Sequence, residues 1–170
     1  MTHWKTRLAT WTFILLALAA LQGCGFHLRG SAQLPPSISP LRIHGLADLD
    51  PLRNDLRQVL TEAGLRVTDK QADAGSILQI YKQDRNRRVL SVDERGKVVE
   101  YELHYGLEFD LVDGDGTRLV EKQDVGVQRA YVNPQTGILG KEQEEALMNR
   151  DMRLDLARRI VERLQEQLSK

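Results

Sequence analysis

Apolar and polar residues alternate along residues 99–111, which is the period of a β-strand with one buried and one solvated face. The apolar members are Val99, Tyr101, Leu103, Tyr105, Leu107, Phe109 and Leu111. The polar members, which we expect to face solvent, are Glu100, Glu102, His104, Glu108 and Asp110. Residues 77–81 and 89–92 predict an interrupted strand before this one, and residues 119–132 predict a strand after it. Glycine-containing turns at 93–96 and 113–116 would join the three into an antiparallel meander.

Two stretches have the period of amphipathic helices. The first begins at Asp50 and Pro51, which suit the N-cap and the first helical position, and ends at Gly64. Its predicted buried face comprises Leu52, Leu56, Val59, Leu60 and Ala63. The second runs from about Lys141 to Leu168, with apolar side chains every four residues at Met148, Met152, Leu156, Ile160, Leu164 and Leu168.

These elements predict an α+β fold. A short strand at residues 41–44 precedes the first helix, so the chain has the order β-α-β-β-β-α. Two amphipathic helices need an apolar surface to cover, and the meander provides one. We therefore expect a two-layer sandwich, in which both helices pack on one face of a mainly antiparallel sheet of about four strands.

The first 23 residues have the composition of a signal peptide. Lys5 and Arg7 precede residues 8–21, which are apolar except for two threonines. This run is shorter than the roughly 20 residues that a transmembrane helix requires, but it has the length of a signal-peptide core. We predict a signal peptide at 1–23, a proline-containing tether at 24–40 and a single α/β sandwich domain at 41–170.

Cys24, the only cysteine of the chain, lies at the end of this leader. It follows Leu21, Gln22 and Gly23, which look like a bacterial lipobox. Cleavage before Cys24 would leave a thiol for diacylglycerol and a new amine for a third acyl chain. Each buried methylene contributes about 0.8 kcal/mol, so three chains would hold the protein on a membrane almost permanently. The alternative is a plain secretory signal followed by a free cysteine.

Charge and motifs exclude several classes of function. Removing residues 1–23 leaves 22 basic and 24 acidic residues, so the mature chain is not a general binder of nucleic acid. Its histidines lack metal-ligand spacing, and the turn at Asp113 does not complete a calcium-loop pattern. We find no phosphate-binding loop, dinucleotide fingerprint or catalytic pair. The sequence therefore predicts a non-enzymatic protein without metal or cofactor.

A cluster of basic residues surrounds the first hairpin turn. Its members are Arg85, Arg87, Arg88, Arg95 and Lys97. Antiparallel pairing would bring these cations to one end of the sheet, where guanidinium groups could bind the phosphates of a lipid. The alternative is that charge on an exposed strand only discourages aggregation between sheet edges. The residues alone leave both interpretations open.

The stretch Cys24-Gly25-Phe26-His27-Leu28-Arg29 resembles the start of mature LPS-assembly lipoproteins of the LptE family. The later proline segment, the capped helix, the hairpin with Glu100-Tyr101 and the Asn133-Pro134-Gln135 segment follow the order of that family. The resemblance implies a lipoprotein on the periplasmic side of the outer membrane. It implies a plug and assembly partner for the LptD β-barrel, which inserts lipopolysaccharide into the outer leaflet.

The resemblance also implies lipopolysaccharide binding through basic residues. One position corresponds to the first hairpin turn, where this chain has Arg95 and Lys97, and another follows Asn133-Pro134-Gln135, where Lys141 is nearest. The alternative function is a free-standing, periplasm-facing lipoprotein that binds an anionic lipid or another ligand without a partner.

Overall fold

The computed structural model describes residues 33–133 and 138–169, apart from the side chains of residues 138–142. The predictions for the signal peptide and for Cys24 therefore lie outside the described residues. No helix among these residues is long and apolar enough to span a membrane.

Five strands form one sheet in the order β2-β1-β3-β4-β5. Their bounds are β1 Leu41–His44, β2 Val67–Thr68, β3 Ser76–Val92, β4 Val98–Asp113 and β5 Arg118–Val132. Strand β1 pairs in parallel with β2 and with the first part of β3. Strands β3, β4 and β5 form the predicted antiparallel meander. The mainly antiparallel α+β sheet is thus confirmed, with the two-residue β2 as an additional strand.

Two α-helices cover one face of this sheet. Helix α1 is Pro51–Glu62, and helix α2 is Ile138–Leu168. The Asp50 side chain accepts a hydrogen bond from the Leu52 amide at 2.9 Å, which caps α1 as predicted. At its other end, Gly64 has a φ of +92°, a conformation that favours glycine.

A hydrophobic core lies between the helices and the sheet. All five residues of the predicted face are buried here, four within α1 and Ala63 directly after it. Helix α2 contributes Met152, Leu156, Ala157, Ile160, Val161 and Leu164. The sheet contributes alternate residues of β4, including Leu103, Tyr105, Leu107, Phe109 and Leu111. Burial of these side chains is the main force that stabilises the sandwich. The opposite face of the sheet, called here the outer face, has no helix against it in the described part of the chain.

Candidate functional site

The predicted basic cluster lies at the end of the β3–β4 hairpin, but its arginines are divided between two faces. Arg85 pairs with Tyr105 of β4, Arg87 pairs with Leu103, and Arg88 pairs with Glu102. Successive side chains of a strand point to opposite faces. Arg85 and Arg87 therefore lie on the helix side of the sheet, whereas Arg88 lies on the outer face.

The helix-side arginines rest on tyrosine rings. The guanidinium carbon of Arg85 is 5.3 Å from the centre of the Tyr105 ring, and that of Arg87 is 4.6 Å from the Tyr101 ring. Tyr101 in turn stacks on Tyr131 of β5, with 5.6 Å between ring centres. Arg87 also lies 3.6 Å from Glu145 of α2 and keeps 48% of its side chain exposed. The rings orient both cations while leaving them accessible to an anion.

The remaining members of the cluster are in different environments. On the outer face, the Arg88 Nε donates to Glu102 at 2.6 Å, so this cation already has a carboxylate partner. Arg95 and Lys97 lie in the turn, where their amides donate to the Asp93 carboxylate at 2.9 and 2.8 Å and their side chains are exposed. Lys141 belongs to the first turns of α2, but its side chain lies outside the described residues.

The outer face is less solvated than its sequence predicts. Asp110 is fully buried there, so its predicted exposure is wrong. Its Oδ2 accepts from the Tyr81 hydroxyl at 2.8 Å and lies 3.2 Å from the Arg118 Nε. Lys122 covers the Tyr81 ring, 4.0 Å from its centre, and also pairs with Glu108. Arg118 and Lys122 reach these partners across a bulged part of the β4–β5 ladder, where sequence alone does not give the register.

Burial raises the pKa of Tyr105 to about 12, and the nearby Asp50 carboxylate adds to the shift. Because the folded state favours the neutral phenol, its stabilising contribution is present below pH 10 and is lost as the pH rises toward 12. We expect the free energy of unfolding to fall by roughly 2–3 kcal/mol over this interval. Urea titrations of wild type and Tyr105→Phe should show the difference. An equal alkaline loss in both proteins would contradict the assignment to Tyr105.

No group of three or more potential metal-ligating side chains occurs within the described ranges. His104 lies on the outer face, 3.8 Å from the Asp84 carboxylate, and its ring covers Gly106 and Gly126. A β-carbon at Gly106 would lie 3.0 Å from the His104 Nε2. This histidine thus fills the space above two paired glycines and has a structural role in the sheet.

The fold is that of known bacterial lipoprotein domains. Lipoprotein B from Nitrosomonas europaea is 30% identical, with a TM-score of 0.65 over 81% of this chain and 88% of that protein. A minor lipoprotein from Acinetobacter baumannii is 23% identical, and its TM-score of 0.64 over 78% of this chain and 94% of that chain shows the shared fold.

The comparisons of sequence define the family more closely. The family model described as LptE, lipopolysaccharide-assembly, matches residues 45–164. The LPS-assembly lipoprotein LptE of Photorhabdus laumondii is 30% identical over 89% of this chain and 83% of its own length. The LPS-assembly lipoprotein LptE of Pectobacterium atrosepticum is 28% identical over 89% of this chain and 83% of its own length. This chain belongs to the LptE family, as residues 24–29 predict.

Proposed function

We propose that this protein is a non-enzymatic lipoprotein of lipopolysaccharide assembly. The observation that carries the proposal is the family match over residues 45–164, which includes helix α1, most of helix α2 and all strands except β1. Relatives that match most of the chain are named for this role. The hairpin, where cations are held on aromatic rings, offers a surface for a phosphorylated lipid but contains no recognisable catalytic arrangement.

In this proposal, acyl chains on Cys24 hold the protein on the periplasmic side of the outer membrane. Gly25 follows the anchor, and it is not the aspartate that is associated with retention in the inner membrane. Residues 24–33 would then connect the lipid to the folded domain, because Leu34 and Ile38 already belong to the hydrophobic core.

The proposed partner is the LptD β-barrel, with this domain as its plug. The outer face supports this arrangement because it is polar and several of its charges are paired internally, as in Arg88–Glu102 and Arg118–Asp110. Paired charges present a hydrogen-bonding surface without a large unpaired charge, which suits a polar barrel lumen. The side chains at this contact would include Glu100, Glu102 and Glu108. The buried Asp110 would hold Tyr81 and Arg118 in place on the same face.

The proposed contacts with lipopolysaccharide are Arg85, Arg87, Arg95, Lys97 and Lys141. Within this group, Arg85 and Arg87 are oriented by the tyrosine rings beneath them. Val89, which is 50% exposed, continues the same strand toward the turn. A phosphorylated lipid requires both charge-assisted hydrogen bonds and apolar contact, and this surface offers both. Arg88 was included among the candidates from sequence, but its pairing with Glu102 makes it the natural control.

A double variant, Arg85→Gln with Arg87→Gln, should weaken lipopolysaccharide binding by at least tenfold, because it removes two charge-assisted contacts. Arg88→Gln should change binding less than threefold. Binding of purified lipopolysaccharide to the detergent-solubilised protein can be measured by fluorescence titration. A larger loss in Arg88→Gln than in the double variant would show that the outer face, and not the helix side, binds the lipid.

Depletion of the protein in its own cells tests the function. We expect lipopolysaccharide to fail to reach the cell surface and the barrel to remain immature. If surface lipopolysaccharide and barrel maturation stay normal after depletion, the protein is not an assembly component. Lipid binding without that phenotype would instead support the free-standing lipoprotein.

A further inference from the structure

A cleft opens at the carboxyl ends of the two parallel strands β1 and β2, beside helix α1. It has a volume of about 880 Å³ and is lined by Arg42, His44, Gly45, Arg53, Arg57 and Asp69, among others. After β1 the chain passes through α1 to β2, which pairs with one edge of β1. It then continues to β3, which pairs with the other edge of β1. The cleft is therefore bounded by the carboxyl end of β1, by Asp69 directly after β2 and by one side of α1.

Three arginines converge on one residue in this cleft. The Nη2 atoms of Arg53 and Arg57 donate to the same Asp69 Oδ1 at 3.0 and 2.5 Å. The Nε of Arg42 donates to the Asp69 carbonyl at 3.3 Å. The hydrogen bonds from Arg53 and Arg57 hold the pKa of the Asp69 carboxyl below its usual range, so this group stays ionised. Asp69 therefore fixes the arginines in the way that a bound anion would.

Arg53 is the structural member of the group. Its side chain is only 13% exposed, and it also donates to the Leu46 carbonyl at 3.1 Å and pairs with Asp48 at 3.3 Å. Arg57 and Arg42 each use a single N–H within the described part of the chain, although a guanidinium carries five. The cleft therefore has spare donors on two cations that are already held in place.

The charge balance distinguishes this cleft from two other depressions of the described surface. Three arginines and His44 face two aspartates here, Asp48 and Asp69. The groove between β5 and α2 has four acids and three arginines, and the depression around His104 has three acids, one lysine and the histidine. Of the three, only the cleft beside α1 has an excess of positive charge.

We propose that this cleft binds a phosphate group, with Arg42 and Arg57 as the ligands, His44 at its rim and Asp69 as an internal competitor. The proposal is independent of the function proposed above, since none of these residues belongs to the hairpin surface. The phosphate could be free or belong to a lipid headgroup, because both present the same oxygens to a guanidinium.

The test is a titration of the full-length protein in neutral detergent, followed by the amide NMR signals of residues 42–45 and 69. The probes are inorganic phosphate and, separately, phosphatidic acid in the micelles, with sodium chloride at matched ionic strength as the reference. Phosphate is expected to shift these amide signals until they reach a plateau, whereas chloride should cause no shift that saturates. Saturation by phosphatidic acid alone would identify the headgroup as the source, and saturation by inorganic phosphate would identify the free anion.

Two variants are expected to change the affinity for phosphate in opposite directions, which makes the test specific. Arg57→Gln should weaken phosphate binding about tenfold, whereas Asp69→Asn should tighten it several-fold because the competing charge is removed. Arg57→Lys, which keeps the charge, should retain part of the affinity. Arg66→Gln, an exposed arginine outside the cleft, is the matched control and should leave binding unchanged. No saturable shift with either probe, weaker binding in Asp69→Asn, or an equal loss in Arg66→Gln would overturn the proposal.

Discussion

A Gly45→Ala variant is expected to lose roughly 3–5 kcal/mol of its free energy of unfolding. Gly45 follows β1 with a φ of +92°, a conformation that is strained for any residue with a β-carbon. A β-carbon there would also lie 1.9 Å from the carbonyl oxygen of Ile80 in β3. That oxygen is part of the backbone, so relief requires β1 and β3 to separate. Urea denaturation, followed by circular dichroism, measures the loss.

Gly64→Ala is the matched control for this prediction. Gly64 has the same φ of +92°, but a β-carbon there would meet no heavy atom within 4 Å. The Gly64→Ala variant should lose only about 1–2 kcal/mol of its free energy of unfolding, because only the backbone strain contributes. Equal losses in the two variants would mean that the close approach to Ile80 has no energetic effect.

Replacing Cys24 with alanine is expected to release the protein from the membrane. The variant should carry a plain secretory signal in place of residues 1–23, so that the mature chain is still exported and cleaved. The proposed acyl chains would contribute about 0.8 kcal/mol for each buried methylene, and this variant cannot carry them on residue 24. Fractionation and incorporation of labelled fatty acid measure the outcome, which should be a soluble, unlabelled periplasmic protein.

The Gln22→Ala variant with the native leader serves as the control. It keeps the cysteine and places a small residue at the lipobox position that departs from the usual pattern, so labelling should persist. If the Cys24→Ala variant is attached to the membrane to the same extent as wild type, Cys24 is not the anchor.

The sequence predicts those parts of the fold in which local pattern and tertiary packing agree. The alternation along β4 identifies its core residues because the buried face covers a single hydrophobic core. The start of α1 is predictable because Asp50 and Pro51 act through their immediate neighbours. Local signals of this kind do not depend on which strands lie next to each other.

Features that depend on strand pairing could not be predicted in the same way. Residues 82–88 have no apolar period, yet β3 is continuous through them because β4 pairs with it residue by residue. Strand β2 has only two residues, and its pairing with β1 defines it. Asp110 is buried because Arg118 reaches it from β5, where bulges shift the register. The cleft beside α1 could not be predicted because Arg42 and Asp69 are distant in sequence from Arg53 and Arg57, and the three arginines meet only at Asp69.

The most direct test of the proposed role is to purify the acylated protein from its own cells in mild detergent and identify what remains bound by mass spectrometry. The account predicts the LptD β-barrel in a stoichiometric complex, absent when an unrelated lipoprotein is purified in the same way. Recovery of the acylated protein alone, under conditions that keep other outer-membrane complexes intact, would contradict it.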